Sequence, residues 1–293
     1  MKEKPLVTIC LHTGKLKNYP LIENFIKSFL VCNFYENVEL MLIESSGSKE
    51  LRTWFENLDF EDFFVNFSGK KSNIKKRKNI SIKKSLKFYD FPETDLWFQC
   101  YTKSIQRAIN DASGKYFCFF AEDNQFTIKG NIIDDYIKIL EEENNFKSFV
   151  HFFGQQKYKF FKENNYFSKI PQTIEDIKYF KPSHKWDFWS LTLKENYEKI
   201  GSLKESTKDK PHNTIEEYSR RTKDQNFVRV YPKIPHGIWF HNKSNQKIIN
   251  MIKSNHNNPD FICYKIIDKS EAIEIFKDNM PISTDDYLQK VCL

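Results

Sequence analysis

The sequence predicts an α/β protein with a mostly parallel central sheet flanked by helices. Three observations carry that expectation. Over the first 70 residues, short apolar runs alternate with helix-periodic segments at the spacing of parallel strands joined by crossover helices. Residues 115–121, Lys-Tyr-Phe-Cys-Phe-Phe-Ala, form a run short enough for a buried strand and too short for a membrane span. That run stops on two adjacent carboxylates, Glu122 and Asp123, followed by Asn124. Burying a carboxylate without a partner is costly, so a strand ending in acid needs a reason. In parallel α/β sheets ligands sit beyond the carboxyl ends of the strands, and carboxylates there commonly hold a divalent metal on a phosphate. The alternative is a strand running into a solvated acidic turn.

Composition bounds the answer. A chain of 293 residues can bury a large core as one domain, or as a domain with an appendage. Its 40% hydrophobic and 29% charged content excludes a disordered chain. A net charge of +7 suits an anionic partner, although abundant Lys, Asn, Ile and Phe would also follow from an AT-rich coding sequence. The six cysteines, at 10, 32, 100, 118, 263 and 292, form no Cys-x-x-Cys pair and read as reduced thiols of a cytoplasmic protein, without disulfides or zinc. The N-terminal apolar run is too short for a signal peptide. No stretch reaches transmembrane length, so membrane contact is expected to be peripheral at most.

In chain order, residues 6–11 read as a first buried strand running into His12-Thr13-Gly14-Lys15. Pro20 opens a helix whose apolar residues Leu21, Ile22, Phe25, Ile26, Phe29 and Leu30 share one face. Residues 38–43 form a second strand ending on Glu44-Ser45-Ser46-Gly47-Ser48, and Leu51, Trp54, Phe55 and Leu58 mark a short helix. A third strand is expected at 63–67. Residues 70–87 carry nine Lys or Arg without interleaved aromatics, which favours a solvated loop over a nucleic-acid or phospholipid site. Asp95 caps an expected helix through Ala112, ended by Gly114 just before the acidic strand.

After that strand, Ile132, Ile133, Tyr136, Ile137 and Leu140 mark a helix, and residues 146–153 a strand. Residues 155–185 show no clear period. Residues 186–193 read as extended, 194–200 as a helix closed by Gly201, and 202–213 as a polar mobile loop. Residues 214–221 are expected to be helical and 227–234 a strand, with a turn at Pro235-His236-Gly237. The expected division is a main domain over 1–242 and a helical C-terminal extension over 243–293.

The order of these pieces resembles a family 2 glycosyltransferase with the GT-A fold, over roughly residues 5–242. Glu44-Ser45-Ser46-Gly47-Ser48 resembles the family's nucleoside-contacting acidic turn, and Ala112-Ser113-Gly114 its Ala-x-Gly helix end. Ala121-Glu122-Asp123 stands where its Asp-x-Asp metal motif lies, in a variant with adjacent acids followed by Asn. Thr214-Ile215-Glu216-Glu217-Tyr218-Ser219-Arg220-Arg221 resembles the segment that carries its catalytic base, and Tyr231-Pro232-Lys233-Ile234-Pro235-His236 a turn before a histidine. Two positions depart from the pattern: Gly14 replaces an aromatic that often stacks on the base, and Ala121 removes one acid.

The resemblance implies transfer of a sugar from a nucleoside-diphosphate sugar, a UDP-sugar first among them, to a hydroxyl of a glycan or lipid-linked acceptor in polysaccharide biosynthesis. It implies inversion and assistance by Mn2+ or Mg2+. Donor contacts would fall to His12, Thr13, Gly14, Glu44, Lys103 and Glu122, with Asp123 as direct metal ligand. His236 is the candidate second ligand and His241 the fallback, against the alternative of ordinary loop histidines. Glu217 is the candidate base and Glu216 the second choice, against a solvated helix pairing with Arg220 or Arg221. Trp186, Phe188, Trp189 and Trp239 are candidates for stacking on a sugar face, with core packing as the alternative. Three rivals stand beside this reading: a nucleotide-binding module without catalysis, a nucleic-acid-binding protein working through residues 70–87, and a nucleotidyltransferase of related fold. The lack of a helix-turn-helix, zinc or RNA-binding fingerprint counts against nucleic acid.

Overall fold

A computed structural model describes residues 4–13, 19–44, 49–58, 81–88, 97–142, 148–152, 190–204, 218, 220–222, 224–225, 227–230, 236–239, 246–255, 258, 261–276, 287 and 289. Its first strands are β1 (Val7–Thr13), β2 (Asn37–Glu44), β3 (Ser81–Phe88) and β4 (Tyr116–Ala121). Short strands β5 (Asn124–Phe126) and β6 (Ile128–Lys129) follow, then β7 (Ser148–His151), β8 (Ser190–Leu193), β9 (Val228–Val230), β10 (Gly237–Trp239) and β11 (Ile267–Asp268). The helices are α1 (Tyr19–Cys32), α2 (Lys49–Asn57), α3 (Trp97–Asp111), α4 (Ile132–Glu142), α5 (Lys194–Ile200), α6 (Gln246–Asn255) and α7 (Lys269–Phe276).

Among the described residues the main sheet has seven strands in the order β3-β2-β1-β4-β8-β7-β9. β1 to β4 are mutually parallel, and β8 alone runs against its neighbours. The mostly parallel α/β architecture follows from residues whose strands are apolar on both faces. Val7, Ile9 and Leu11 of β1, with Val38, Leu40 and Leu42 of β2 and Tyr116, Cys118 and Phe120 of β4, pack under α1, α2 and α4. The alternate residues Cys10, Met41, Ile43, Phe117 and Phe119 pack against Ile105, Ala108 and Ile109 of α3 and Tyr197 and Ile200 of α5. A strand buried on both faces has no polar alternation, which is why these runs read as continuous apolar stretches. Burial pushes the Cys10 and Cys118 thiols well above their ordinary pKa, so both act as core hydrophobes.

At the amino ends of the strands one buried carboxylate organises the chain. Glu39, 1% exposed, accepts hydrogen bonds from Thr8 Oγ1 at 2.6 Å, Ser113 N at 2.8 Å and Ser113 Oγ at 3.1 Å. Gly114 N in turn donates to Thr8 Oγ1 at 2.9 Å. A Cβ at position 114 would lie 2.6 Å from Thr8 N and 2.8 Å from Tyr116 O, so the Ala112-Ser113-Gly114 turn tolerates no side chain there.

Two expectations change. The expected strand at 63–67 lies outside the described residues, and β3 falls instead at 81–88, inside the segment expected to be a solvated loop. Ile82 and Leu86 of β3 pack on the core, while its lysines have intramolecular partners. Lys84 Nζ donates to Glu56 O and Leu58 O at the end of α2, Lys87 pairs with Asp111, and Lys83 donates to Ser113 Oγ and pairs with Glu39. Second, the expected polar loop at 202–213 begins as anchored chain. Leu203 is buried and its N–H donates to Gln106 Oε1, and Arg221 donates to Ile200 O and Ser202 O; residues 205–213 lie outside the described residues. The C-terminal segment contacts the main core. Lys269 pairs with Asp135, Ile267 N donates to Thr127 O, and Ile252, Ala272, Phe276 and Tyr287 belong to the cluster under α1.

Candidate functional site

The strand order locates a crevice. From β1 the chain crosses through α1 to β2 and through α2 toward β3, always to one side; α3 then carries it back past β1 to β4. Because parallel crossovers are right-handed, reversing direction puts α3 on the opposite face from α1 and α2, and the two faces' clusters bear that out. Among the described residues no crossover helix lies beyond the carboxyl ends of β1 and β4, which is where open α/β sheets take ligands.

The register fixes what stands there. Thr13 pairs with Glu44, Glu44 with Phe88, and His12 with Ala121, so all four parallel strands end on one rim. The half-buried residues Glu122 and Asp123 form the two-residue turn that follows β4, at that same rim. Phe120 before the turn and Phe126 after it are buried and pack edge to face at 5.5 Å. Phe25 of α1 touches both, at 5.1 and 5.6 Å, so the turn stands on an aromatic floor. Such ring pairs contribute roughly 0.5–1.5 kcal/mol each beyond their buried area.

Asn124 ties the turn from inside. It is fully buried, and its Nδ2 donates to Ala121 O at 2.8 Å and to Asp123 Oδ1 at 3.3 Å. Gln125, also fully buried, accepts from Asn24 Nδ2 and Tyr264 N and donates to Tyr264 O. The C-terminal segment therefore braces β5 directly behind the acidic turn. Sequence reading noted Asn124 only as the amide after the acids and missed Gln125, whose partners lie 101 and 139 residues away.

His12 sits at the end of β1 with its ring stacked on Phe119, centroids 6.1 Å apart. Burial pushes its pKa down to about 4, so the imidazole is neutral at pH 7. Lys103 lies in the N-terminal half of α3 and is half-buried. That half points toward the rim, because the other end of the helix leads to Ser113 at the strands' amino ends.

The structure does not bring His236 to this rim. Its ring is in the core: Nδ1 lies 2.6 Å from Tyr136 Oη, its N–H donates to Phe152 O, and its carbonyl accepts from Thr127 N. Burial, reinforced by the Lys269 ammonium, pushes its pKa down to about 3. On the β5–β10 ladder Trp239 pairs with Asn124, next to Asp123, whereas His236 stands at the Thr127 end. Three strand residues separate those ends, roughly 10 Å. The turn expected at Pro235-His236-Gly237 is the entry to β10, and the histidine serves packing. Gly14, His241, Glu216, Glu217, Trp186, Phe188 and Trp189 lie outside the described residues, as do the side chains of Thr13, Glu44 and Trp239. Among the described residues no three His, Cys, Asp or Glu side chains converge on one point, and no helix is long and apolar enough to cross a membrane.

No protein-family model and no curated protein matches the chain. Among solved structures it is similar to S. aureus TarS 1-349, with a TM-score of 0.48 and 11% identity, covering 97% of this chain and 80% of that one. S. aureus TarS 1-349 in complex with UDP-GlcNAc aligns with a TM-score of 0.46 and 12% identity, over 77% of this chain and 55% of that one. The mannosyltransferase PcManGT from Pyrobaculum calidifontis, in complex with GDP-Man and Mn2+, aligns with a TM-score of 0.46 and 9% identity, over 87% and 63%. The chain spans 40% of the longer S. aureus TarS structure it also matches, at a TM-score of 0.48 and 10% identity.

Proposed function

We propose that this chain is a glycosyltransferase. It takes a sugar from a nucleoside-diphosphate sugar, with a UDP-sugar as first candidate, and passes it to a hydroxyl of a glycan or lipid-linked acceptor with inversion. One observation carries the reading: strand register brings Thr13, Glu44 and the turn Glu122–Asp123 to a single rim at the point where the strand order reverses. A nucleoside diphosphate has two ends of different chemistry, and the rim offers both. Hydrogen-bond acceptors suited to a nucleoside stand at β1 and β2, and carboxylates at the turn after β4.

The carboxylates fit a hard divalent cation, Mn2+ or Mg2+. Asp123 is half-exposed, carries an oxygen donor set, and is oriented by a neutral amide that leaves its charge intact. Asp123 would hold the cation, with Glu122 toward the ribose or sugar and His241 as the candidate second protein ligand. When bound there, the cation supplies neutralisation of the leaving diphosphate. Neutral His12, Thr13 and Gly14 would line the nucleoside side with Glu44, and Lys103 would lie toward the phosphates. Glu217, with Glu216 as second choice, would accept the proton of the attacking hydroxyl from the face opposite the diphosphate. Such an enzyme fits the cytoplasm, peripheral at most to a membrane, in polysaccharide assembly.

The test is a thermal-shift screen of nucleotide sugars with and without manganese, followed by a transfer assay on any donor that raises the melting temperature. Metal-dependent stabilisation with sugar transfer supports the reading. Stabilisation without turnover indicates a binding module, and pyrophosphate release a nucleotidyltransferase.

A further inference from the structure

We infer that Asn124 is the positioning residue of the acidic turn: its buried amide sets the orientation of the Asp123 carboxylate and thereby the affinity of this site for a cation–diphosphate pair. The inference rests on the function proposed above and adds a residue to it. Both donor bonds of the Asn124 amide go to the turn that carries the acids, one to Ala121 O and one to Asp123 Oδ1. The amide's orientation is fixed by chemistry, because its oxygen in place of Nδ2 would face a carbonyl and a carboxylate, both acceptors. The opposite atom, Asn124 Oδ1, is buried and has no hydrogen-bond partner among the described residues. Leaving such an acceptor unpaired is unfavourable.

A carboxylate offers about four acceptor positions, so one amide bond fixes its rotamer without exhausting it. The amide is neutral and adds no countercharge beside Asp123, as a lysine in the same place would. The backbone of residue 124 is held independently: it pairs with Trp239 in the β5–β10 ladder, between the packed rings of Phe120 and Phe126. Truncating the side chain removes the orientation of Asp123 together with the Ala121 O bond, while the β5–β10 ladder and the ring contacts beneath the turn remain.

The experiment measures manganese-dependent binding of UDP and of GDP to the full chain by calorimetry, alongside thermal melts, for the native protein, Asn124→Ala and Asn124→Asp. Native protein should bind one nucleotide in the presence of manganese. Asn124→Ala should melt below native but still cooperatively, and bind that nucleotide with manganese about 10–100-fold more weakly, the range usual for losing a partner that orients a metal ligand. Asn124→Asp has the same shape but puts a carboxylate against Asp123 and Ala121 O, and should lose affinity comparably. Should Asn124→Ala fail to fold, the isosteric variant decides. Native affinity in the variant that folds, or a gain of affinity in Asn124→Asp, overturns the inference and leaves the proposed function standing. No nucleotide binding by the native protein overturns both.

Discussion

Thr13 lies directly opposite Glu44 across the β1–β2 ladder, and each is the last residue of its strand. Two neighbouring strands thus end together at the rim, one strand away from the Glu122–Asp123 turn. If that pair receives the nucleoside, Glu44→Gln should weaken nucleotide binding roughly ten- to hundredfold, the loss expected for a hydrogen bond to a charged group of about 1.5–3 kcal/mol. Titration calorimetry with the best nucleotide of the thermal-shift screen reads this out. Unchanged affinity would move the nucleoside elsewhere.

The opposite end of the strands should govern stability alone. Gly114→Ala forces a Cβ against the Thr8 and Tyr116 backbone, which cannot swing away as a side-chain tip could. A loss of about 1–3 kcal/mol is expected. Glu39→Ala should cost at least as much, because Thr8 and Ser113 lose the buried acceptor they share. Denaturant melts of both variants test this, and nucleotide affinity of whatever remains folded should be native.

Two histidines predict an acid-side loss of stability. His12 and His236 have folded pKa values of about 4 and about 3, against 6.5 for the free side chain, both lowered by burial. Below pH 6.5 the unfolded chain takes up two protons that the folded chain refuses, so stability falls as pH falls toward those values. Each group contributes a slope approaching 1.4 kcal/mol per pH unit in that window. Denaturant midpoints between pH 7 and 5 should drop steeply, and His236→Gln should flatten the drop. A midpoint independent of pH over that range would contradict the burial of both rings.

Glu217→Gln should leave donor binding intact and lower transfer by 10²–10⁴-fold, because a general base acts on the acceptor in the transition state. Glu216→Gln should matter less, since adjacent residues of the helix expected from the sequence there would not share a face. Reversed effects would exchange the two roles, and full activity of both variants would place the base outside this segment.

What the sequence disclosed was whatever its local pattern encodes. β1, β2 and β4 are apolar on both faces, and α1, α3 and α4 have clear helical periods, so these elements were legible. β3 was not. It is an edge strand in which exposed lysines alternate with the half-buried Ile82 and Leu86, and Lys84 caps α2 with its ammonium, so the run looked like solvated charge. The role of His236 was illegible for a related reason: its partner Tyr136 lies 100 residues away, and only the folded ladder puts the ring in the core. The Glu122–Asp123 turn could be found from sequence, whereas the Asn124 and Gln125 bonds that hold it depend on packing among β4, α1 and the C-terminal segment.

The central claim is that Asp123 holds a divalent cation on the diphosphate of a bound nucleotide. The most direct measurement is nucleotide affinity of native protein and Asp123→Asn, each with manganese and with chelator. A neutral amide at 123 keeps the shape of the turn and removes its charge, so the account predicts that manganese strengthens binding to the native protein and does nothing for the variant. Equal affinity of the two proteins, with and without chelator, would contradict it.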